Sequence, residues 1–199
     1  IAVMGGTTVS SELIKKLPKL KIIANYGVGY DAVDVKQATL SNVKVTNTPD
    51  VLNDEVADTA IALTLCVYKN IALANQFLLE KKWLKSEYPL SKKFSGTKFG
   101  ILGMGRIGKT IAKRIESFNC EICYHSRNQK DVKYKYFSKL EDLAEYVDTL
   151  CVITPGGEET KHLVNANVLQ KLGKNGFLIN IARGTVIDQK ALIYALQNN

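Results

Sequence analysis

The six residues Gly103-Met104-Gly105-Arg106-Ile107-Gly108 have the glycine spacing of a loop that can hold a phosphate group. An apolar segment at 98–102 predicts a buried strand before them, and apolar residues at helical spacing over 110–115 predict a helix after them. In such a turn, Gly103 permits the sharp bend, Gly105 lets the backbone approach a pyrophosphate, and Gly108 lets helix and strand pack closely. A tight turn without a ligand is the alternative. The strand-to-helix context favours a dinucleotide, with its phosphates at the positive helix N-terminus.

The end of the next predicted strand bears on which dinucleotide binds. About 20 residues past the glycines, an NAD-binding domain places Asp or Glu on the ribose 2′-hydroxyl, whereas an NADP-binding domain offers Arg. Residues 123–128 read Cys-Tyr-His-Ser-Arg-Asn and contain no acid. Ser126 and Arg127 can hydrogen-bond a 2′-phosphate, and Lys130 adds positive charge. A solvated basic turn is the alternative, but the missing acid leads us to favour NADP(H) over NAD(H).

Two further segments can bind an anion. Gly27-Val28-Gly29 follows a predicted parallel strand, where successive backbone N–H groups can hold a carboxylate. A simple tight turn explains this segment equally well. Arg183 follows a buried strand predicted at 176–180, at the ligand-facing edge of the sheet, and its guanidinium fork suits a carboxylate. A surface arginine without a role is the alternative there.

Strands and helices alternate over the first part of the chain. The predicted elements are strands at 1–5, 21–26 and 43–46, a helix from Ser10 or Ser11 to Leu17, and a helix over 34–40. The segment Asn47-Thr48-Pro49-Asp50 breaks this pattern and is the predicted hinge. A long helix is predicted over 54–80 to carry the chain into a second domain. Its apolar face is predicted to contain Val56, Ala60, Leu63, Val67 and Ile71.

From residue 98 onwards the pattern predicts βαβ units. The strands are predicted at 99–103, 120–125, 149–153 and 176–180, with a weaker one at 134–136. Strands that alternate with helices predict a doubly wound parallel sheet. A complete dinucleotide fold of this kind usually has six strands. Since fewer are found, and the first strand has no neighbour before it, we expect these residues to be part of a longer polypeptide.

Composition narrows the classes of partner. The formal charge of +8 could indicate nucleic acid or an anionic membrane, but the lysines are scattered over predicted helix faces and loops. No apolar stretch has the length of a membrane span. We therefore predict neither a nucleic-acid nor a membrane partner.

The four cysteines are Cys66, Cys120, Cys123 and Cys151. Cys120 and Cys123 have the spacing of a redox or zinc pair, but a strand points positions i and i+3 to opposite faces. The sequence has no second cysteine pair or nearby histidine pair to complete a metal site. We predict reduced core thiols, no metal, and a cytoplasmic protein.

Five stretches, in this order, carry a resemblance to a known family: NYGVGYDAVDV, VTNTPDVLNDEVADTAIAL, FGILGMGRIGKTIAKR, TPGGEETKHLVN and LINIARGTVID. They resemble the D-isomer-specific 2-hydroxyacid dehydrogenases, particularly the glyoxylate/hydroxypyruvate and hydroxyphenylpyruvate reductases. The resemblance implies an α/β fold class, with a Rossmann-type doubly wound parallel sheet plus part of a flavodoxin-like substrate domain. Residues 1–49 would form a partial substrate-binding domain. Residues 50–199 would form the NAD(P)-binding Rossmann domain, truncated at its C-terminal end.

The resemblance also implies roles for individual residues. The backbone of Val28 and Gly29 would bind the substrate carboxylate in a cleft between the domains, and Arg183 would bind the carboxylate and the carbonyl oxygen. For the cofactor, Arg106 and Ile107 would lie against the pyrophosphate, Thr154 and Pro155 would flank the cofactor, and Ile181 and Ala182 would lie near the nicotinamide.

The implied reaction is the NAD(P)H-dependent reduction of a small 2-oxo acid to the D-2-hydroxy acid. It needs a hydride, a cation that polarises the carbonyl, and an acid that protonates the developing alkoxide. Arg183 supplies the cation, whereas the family's acid, a histidine supported by a glutamate, would lie beyond Asn199. His125 falls at the adenosine end of the site and His162 in a solvated loop or helix start. We therefore expect the 199-residue chain by itself to be inactive.

Two alternative interpretations stay open. One is a non-catalytic dinucleotide sensor or corepressor on the same fold, although such a protein does not need a substrate arginine like Arg183. The other is a phosphoglycerate, formate or phosphite dehydrogenase, which the missing acid disfavours because these enzymes commonly use NAD. The resemblance further implies a homodimer built on the nucleotide domain, with helix 54–80 as a contributor. It leaves the side chain of the 2-oxo acid undetermined.

Overall fold

The computed structural model describes residues 1–4 and 6–198, which form two compact units. The first unit contains Ile1–Leu52 together with Pro155–Glu159. The second begins at Asn53 and contains the rest of the chain. Each unit has its own parallel sheet and its own hydrophobic core.

The first unit contains a three-stranded parallel sheet. The strands are β1 (Ala2–Met4), β2 (Ile22–Tyr26) and β3 (Lys44–Thr46), in the order β1-β2-β3, and the helices are α1 (Ser11–Lys15) and α2 (Val35–Leu40). The predicted cap of α1 is confirmed, since the Ser10 side chain accepts a hydrogen bond from Leu13 N. Gly5, predicted as the end of the first strand, lies outside the described residues.

The second unit contains a five-stranded sheet in which every pairing is parallel. Its strands are β4 (Lys98–Leu102), β5 (Glu121–His125), β6 (Lys135–Tyr136), β7 (Thr149–Val152) and β8 (Phe177–Asn180). The order β6-β5-β4-β7-β8 reverses direction between β4 and β7, as in a doubly wound nucleotide-binding fold. This confirms the α/β class and the Rossmann-type sheet, and all five predicted strands are present.

Helices and single-turn 3-10 helices complete the second unit. The helices are α3 (Asn53–Tyr68), α4 (Ile71–Leu79), α5 (Arg106–Ile115), α6 (Leu140–Tyr146), α7 (Ala166–Leu172) and α8 (Gln189–Asn198), and the 3-10 turns are Lys82–Leu84, Glu116–Phe118 and Gly184–Val186. A further 3-10 turn, Glu158–Thr160, lies where the chain passes from the first unit back to the second. One core cluster contains residues of α3 and α5 and the strand residues that point toward them. A second cluster contains residues of α6 and α7 and strand residues that point to the other face of the sheet. Helices therefore cover both faces of the sheet, which is why β4 and β7 are buried almost throughout.

The single long helix predicted over 54–80 is wrong. It is two helices, α3 and α4, bent by 58° at a break where Asn70 has a left-handed backbone with φ of 52°. Among the described residues no single helix is long and apolar enough to cross a membrane, and only this bent pair passes that test together. The core helix of a protein passes the same test, so the pair by itself is weak evidence for a membrane span.

The predicted apolar face of the first part of this helix is wrong except at Ala60, which is buried as predicted. The buried residues of α3 are Ala57, Ala60, Thr64 and Tyr68, whereas Leu63 and Val67 are exposed. Two polar groups can be buried because each has a partner: Thr64 Oγ1 donates to Ala60 O at 2.7 Å, and the hydroxyls of Tyr68 and Thr149 lie 2.9 Å apart. Apolar periodicity misses this face because half of its members are polar.

Candidate functional site

The predicted cofactor residues of the second unit lie at one edge of its sheet. Each follows the carboxyl end of a strand: Gly103 follows β4, Ser126 follows β5, Thr154 lies two residues after β7, and Ile181 follows β8. In open α/β sheets, ligands bind outside these ends, at the point where the strand order reverses. The fold therefore brings these segments together at the edge of the sheet where a dinucleotide is expected to bind.

The three motif glycines face different surroundings. Gly103 has φ of +110°, and a Cβ there would lie 2.7 Å from Ile153 O on the neighbouring strand connection. A Cβ on Gly108 would overlap Gly103 O, so helix α5 packs directly on the turn. Around Gly105, by contrast, no atom lies within 4 Å of the Cβ position. Two of the glycines are thus required by packing within the chain, while the space at Gly105 can admit a ligand.

Helix α5 begins directly at this space. Its N-cap is Gly105, which has no side chain to accept a hydrogen bond from the first turn. The first turn, which starts at Arg106 and Ile107, contains no acidic residue. An anion at this position meets the positive end of a ten-residue helix whose N-cap has no side chain and whose first turn has no acidic residue. The residues present therefore fit a pyrophosphate.

The loop after β5 is held at both ends. Tyr124 is fully buried, and its hydroxyl accepts from Lys130 N at 2.8 Å and donates to Lys130 O at 3.1 Å. Tyr136 Oη donates to Ser126 O at 3.2 Å. Ser126 Oγ donates to Asn128 O at 2.7 Å, and the Arg127 side chain is exposed. Two tyrosines thus fix the loop that offers the predicted 2′-phosphate ligands, and the sequence analysis did not single them out.

Thr154 and the residue after it belong to different units. Thr154 lies beside Gly103, since its N lies 3.3 Å from the Cβ position there. Its Oγ1 is buried and has no hydrogen-bond partner within residues 1–4 and 6–198. A buried hydroxyl of this kind can pair with a polar group of a cofactor. Pro155, the other residue predicted to flank the cofactor, belongs to the first unit.

The segment after β8 is shaped by an asparagine that the sequence analysis also missed. Asn180, the last residue of β8, accepts from Ala182 N at 3.0 Å through Oδ1 and donates to Arg183 O at 3.1 Å through Nδ2. Ile181 N donates to Val152 O and continues the pairing with β7. Arg183 is exposed, and its Nη1 donates to Ala182 O. Arg183 therefore leaves the sheet edge from a turn with a fixed backbone.

In the first unit, the predicted carboxylate-binding segment is also tied by asparagine side chains. Asn25 Nδ2 donates to the carbonyl oxygens of Gly27 and Gly29, at 3.1 and 3.0 Å. Asn47 Nδ2 donates to Val28 O at 2.9 Å. Nothing in the alternation of strands and helices distinguishes these two residues. Their signal is the position of each asparagine next to a turn at the carboxyl end of a strand.

The remaining candidates do not form a second site. His125 Nδ1 donates to Phe137 O at 2.9 Å, and His162 is exposed with φ of 52°. Cys120 packs on one core cluster and Cys123 on the other, which confirms that they point to opposite faces. Burial raises the pKa of the Cys151 thiol to about 12, and burial together with Glu121 raises the pKa of Cys123 to about 11. In the part of the chain that the structure describes, no group of His, Cys, Asp or Glu could hold a metal.

The family follows from a comparison with known proteins. Residues 61–199 match the sequence model of the D-isomer specific 2-hydroxyacid dehydrogenase, NAD binding domain. The chain belongs to the D-isomer-specific 2-hydroxyacid dehydrogenase family. The resemblance seen in the sequence is thereby confirmed, and the glycine turn of α5 lies inside the matched region.

Individual members of the family are close to this chain in sequence and structure. It is 43% identical over 198 residues to glyoxylate/hydroxypyruvate reductase A of Arabidopsis thaliana, an alignment that covers 98% of this chain and 63% of the relative. An NADPH-dependent glyoxylate/hydroxypyruvate reductase of Sinorhizobium meliloti, crystallised with NADP and malonate, is 45% identical with a TM-score of 0.95. That match covers 100% of this chain and 62% of the solved chain.

A third relative carries the other dinucleotide. D-lactate dehydrogenase of Aquifex aeolicus, solved with NAD and lactic acid, is 27% identical, with a TM-score of 0.93 over 99% of this chain and 60% of that one. The chain thus spans about three fifths of the length of these relatives. The family binds a nicotinamide dinucleotide, and both forms of it occur among similar structures.

Proposed function

We propose that the protein reduces a small 2-oxo acid of the glyoxylate or hydroxypyruvate type to the D-2-hydroxy acid, with NAD(P)H as the reductant. The observation that carries the proposal lies within the second unit. An open glycine turn at the end of β4 and an arginine at the end of β8 share one edge of a parallel sheet. The relatives named as glyoxylate/hydroxypyruvate reductases support it.

For the cofactor, the proposal assigns the pyrophosphate to the turn of Gly103, Gly105 and Gly108 and to the adjoining residues Arg106 and Ile107. The helix N-terminus supports this assignment because it can bind phosphate oxygens through backbone N–H groups. A bound nicotinamide would supply the hydride. Residues assigned to its flanks are Thr154, Pro155, Ile181 and Ala182. The unpaired Thr154 Oγ1 supports this part of the assignment.

For the substrate, we assign the carboxylate to the N–H groups of Val28 and Gly29 in the first unit, the proposed substrate domain. The guanidinium of Arg183, in the proposed nucleotide domain, would bind the carboxylate and polarise the carbonyl oxygen as negative charge develops on it. We assign the proton donor to neither histidine of this chain. The Nδ1 atom of His125 is used by Phe137 O, and His162 lies in an exposed turn before α7.

A spectrophotometric assay tests the proposal. The full-length polypeptide is supplied with NADPH or NADH and with glyoxylate, hydroxypyruvate or hydroxyphenylpyruvate, and loss of absorbance at the nicotinamide band is followed. Arg183→Gln should lower kcat/KM by at least about a hundredfold, since it removes a charge-assisted pair. Arg114→Gln is the matched variant and should retain the rate, because this arginine lies in the last turn of α5 and pairs with Asp54 and Asp58. Equal activity of Arg183→Gln and the unchanged protein would contradict the proposal.

We further propose that NADP(H) is preferred over NAD(H). The support is the loop after β5, which has no carboxylate between Glu121 and Asp131 and places Ser126 and Arg127 after the strand end. An acid at this point would bind the ribose 2′-hydroxyl and repel a 2′-phosphate. The basic side chain of Arg127 instead favours the phosphate.

The proposed assembly is a homodimer that uses α4 and the segment after it. Helix α4 is apolar at most positions, yet none of its residues is buried. Its exposed apolar side chains continue into the next segment and include Ile71, Leu73, Leu78, Leu79, Trp83 and Leu84. Exposed apolar side chains that lie together favour an interface, and a second copy can cover them with the same surface across a two-fold axis.

Sedimentation velocity tests this assembly. Leu79→Glu places a charge on the patch and should convert the dimer to a monomer. Leu40→Glu is the matched control, because Leu40 is similarly exposed but lies in the first unit on α2. Retention of the dimer by Leu79→Glu, or a monomeric unchanged protein, would show that α4 is not the interface.

The cysteines support a proposed cytoplasmic location. All four of them are free thiols, including the half-buried Cys66 and Cys120. Thiols persist in reducing compartments and pair or oxidise in secreted proteins. Fractionation of cells that express the full-length protein tests the proposal, and recovery outside the cytoplasm would contradict it.

A further inference from the structure

The loop Gly27-Val28-Gly29 follows β2, and each of its three carbonyl oxygens accepts a hydrogen bond from a donor in the first unit. Gly27 O accepts from Asn25 Nδ2 at 3.1 Å and from Thr48 N at 3.0 Å. Val28 O accepts from Asn47 Nδ2 at 2.9 Å, and Gly29 O accepts from Asn25 Nδ2 at 3.0 Å. Three consecutive peptide groups are therefore oriented by two asparagine side chains and one backbone N–H.

The orientation of the carbonyl groups determines that of the N–H groups. In a trans peptide, the C=O of one residue and the N–H of the next point in opposite directions. When the carbonyls of Gly27, Val28 and Gly29 turn toward the asparagines, the N–H groups of Val28, Gly29 and Tyr30 turn away from them. None of these three N–H groups donates to a backbone or side-chain acceptor in residues 1–4 and 6–198. Three successive donors of this kind suit an anion.

The two asparagines differ in how deeply they are built into the unit. Asn25 lies within β2, opposite Val3 of β1, and is 5% exposed. A buried carboxamide is costly unless it is hydrogen-bonded, and both donor bonds of Asn25 go to this loop. Asn47 follows directly after β3 and is half-buried. One asparagine thus holds the loop from its own strand, and the other holds it from the neighbouring strand.

We infer that Asn25 and Asn47 are positioning residues that keep the N–H groups of Val28, Gly29 and Tyr30 directed toward the carboxylate of the substrate. This inference rests on the proposed function, and it adds Tyr30 N as a third donor. Neither asparagine touches the substrate. Each acts through the peptide group whose carbonyl oxygen it holds, so that loss of the carboxamide lets the peptide rotate and removes a donor from the anion.

Asn47 is the better position for substitution, because it lies outside the strand and is only half-buried. Asn47→Asp keeps the shape but replaces the donor with an acceptor that repels Val28 O. Asn47→Gln keeps a carboxamide donor on a longer side chain and serves as the conservative variant. Thr39→Ala is the matched control: it too removes one side-chain bond to a backbone carbonyl, from Thr39 Oγ1 to Val35 O at 2.8 Å, but within α2.

The experiment titrates the ¹⁵N-labelled full-length protein with oxamate, an unreactive 2-oxo carboxylate, and follows the amide signals of the loop. We expect the signals of Val28, Gly29 and Tyr30 to shift in the unchanged protein. Asn47→Asp should weaken oxamate binding at least about tenfold, the loss expected for one hydrogen bond to a charged group. Asn47→Gln should recover part of the affinity, and Thr39→Ala should keep all of it.

Steady-state kinetics separates positioning from general stability. Because the carboxylate is bound in both the ground state and the transition state, Asn47→Asp should raise KM for the 2-oxo acid and leave kcat little changed. A lower melting temperature with an unchanged KM and unchanged oxamate affinity would mean a structural role only and would overturn the inference.

The outcomes also separate the inference from the proposed function. If 2-oxo acids are reduced but the three loop amides do not respond to oxamate, the inference is wrong and the reductase activity stands. If the amides respond, and the response is lost in Asn47→Asp, the inference stands even when no 2-oxo acid is reduced. If Asn47→Asp fails to fold, Asn47→Ser provides the same comparison with a shorter donor, and undiminished oxamate affinity in that variant counts against the inference.

Discussion

Asn180 and Arg183 are joined by a hydrogen bond of 3.1 Å from the carboxamide Nδ2 of the first to the carbonyl oxygen of the second. The same carboxamide accepts from Ala182 N at 3.0 Å, so one side chain fixes both ends of the turn after β8. The direction in which the guanidinium of Arg183 leaves the backbone depends on this turn.

Substitution of Asn180 should therefore impair the reaction through Arg183. Asn180→Asp keeps the acceptor for Ala182 N but loses the donor to Arg183 O, while Asn180→Ala loses both. We expect kcat/KM to fall about tenfold for Asn180→Asp and further for Asn180→Ala, in proportion to the bonds removed. Asn198→Ala, which removes one side-chain bond to Tyr194 O near the end of α8, is the control. Equal kinetics for Asn180→Ala and this control would contradict the role of the turn.

The glycines of the α5 turn should separate folding from cofactor binding. Gly108→Ala places a methyl group onto Gly103 O and should lower the free energy of unfolding by roughly 1–3 kcal/mol. Gly105→Ala has open space around the new methyl group, so stability should change little while NADPH affinity falls. Thermal unfolding and fluorescence titration measure the two effects. Undiminished NADPH binding by Gly105→Ala would argue against a pyrophosphate at this turn.

The loop after β5 should determine cofactor preference through charge. Arg127→Asp replaces a cation with a carboxylate next to the proposed 2′-phosphate, so NADPH affinity should fall about 10- to 100-fold and NADH affinity should change little. Direct binding of both nucleotides measures the ratio. Lys133→Asp is the control, since Lys133 lies beyond the loop and pairs with Glu116. Equal losses for both nucleotides would show that Arg127 does not read the 2′ position.

Burial should protect two of the four thiols from modification. The raised pKa values of Cys151 and Cys123 leave almost no thiolate at neutral pH, and both side chains are fully buried. A thiol reagent at neutral pH should therefore modify the half-buried Cys66 and Cys120 first, and the other two only as the protein unfolds. Peptide mass mapping after timed labelling measures the order. Rapid labelling of Cys151 in folded protein would contradict its position in the core.

The same thiols should make the fold sensitive to alkaline pH. In the unfolded chain the thiol pKa is near 9, whereas the folded-state pKa values are about 11 for Cys123 and about 12 for Cys151. Between these limits the unfolded state binds fewer protons than the folded state, so the free energy of unfolding falls as pH rises. Urea unfolding across this alkaline range should show the decline, and Cys151→Ala should flatten it. A free energy of unfolding that rises with pH over this range would contradict the raised pKa values of the two thiols.

Much of the second unit can be predicted from the sequence because its signals are local. Four of the five strands are short and largely apolar runs, and the glycine turn depends on residues within a few positions of each other, as does the Ser10 cap in the first unit. The break between α3 and α4 could not be predicted in this way. Neither proline nor glycine marks the break. Asn70 has a left-handed backbone there, but other asparagines of the chain have an ordinary backbone, so the residue type alone does not predict a break.

The asparagines that shape the candidate site were also beyond prediction from the sequence. The site residues Val28 and Arg183 are visible because of their neighbours in the chain. The partners that orient them are not: Asn47 lies 19 residues from Val28, and its carboxamide reaches Val28 O only because β2 and β3 pair in parallel. The position of Asn47 beside a turn is visible in the sequence, but its partner can be recognised only when the strand register is known.

The two-point attachment of Lys130 to the buried Tyr124 has a consequence for how nucleotide preference can evolve. The hydroxyl that anchors the backbone at Lys130 comes from the strand, so this end of the loop is held from outside the loop. Substitution of the side chains at 127–129 leaves this anchor in place. Preference between phosphorylated and unphosphorylated cofactors can therefore change through the side chains of the loop while the anchor of its backbone is kept.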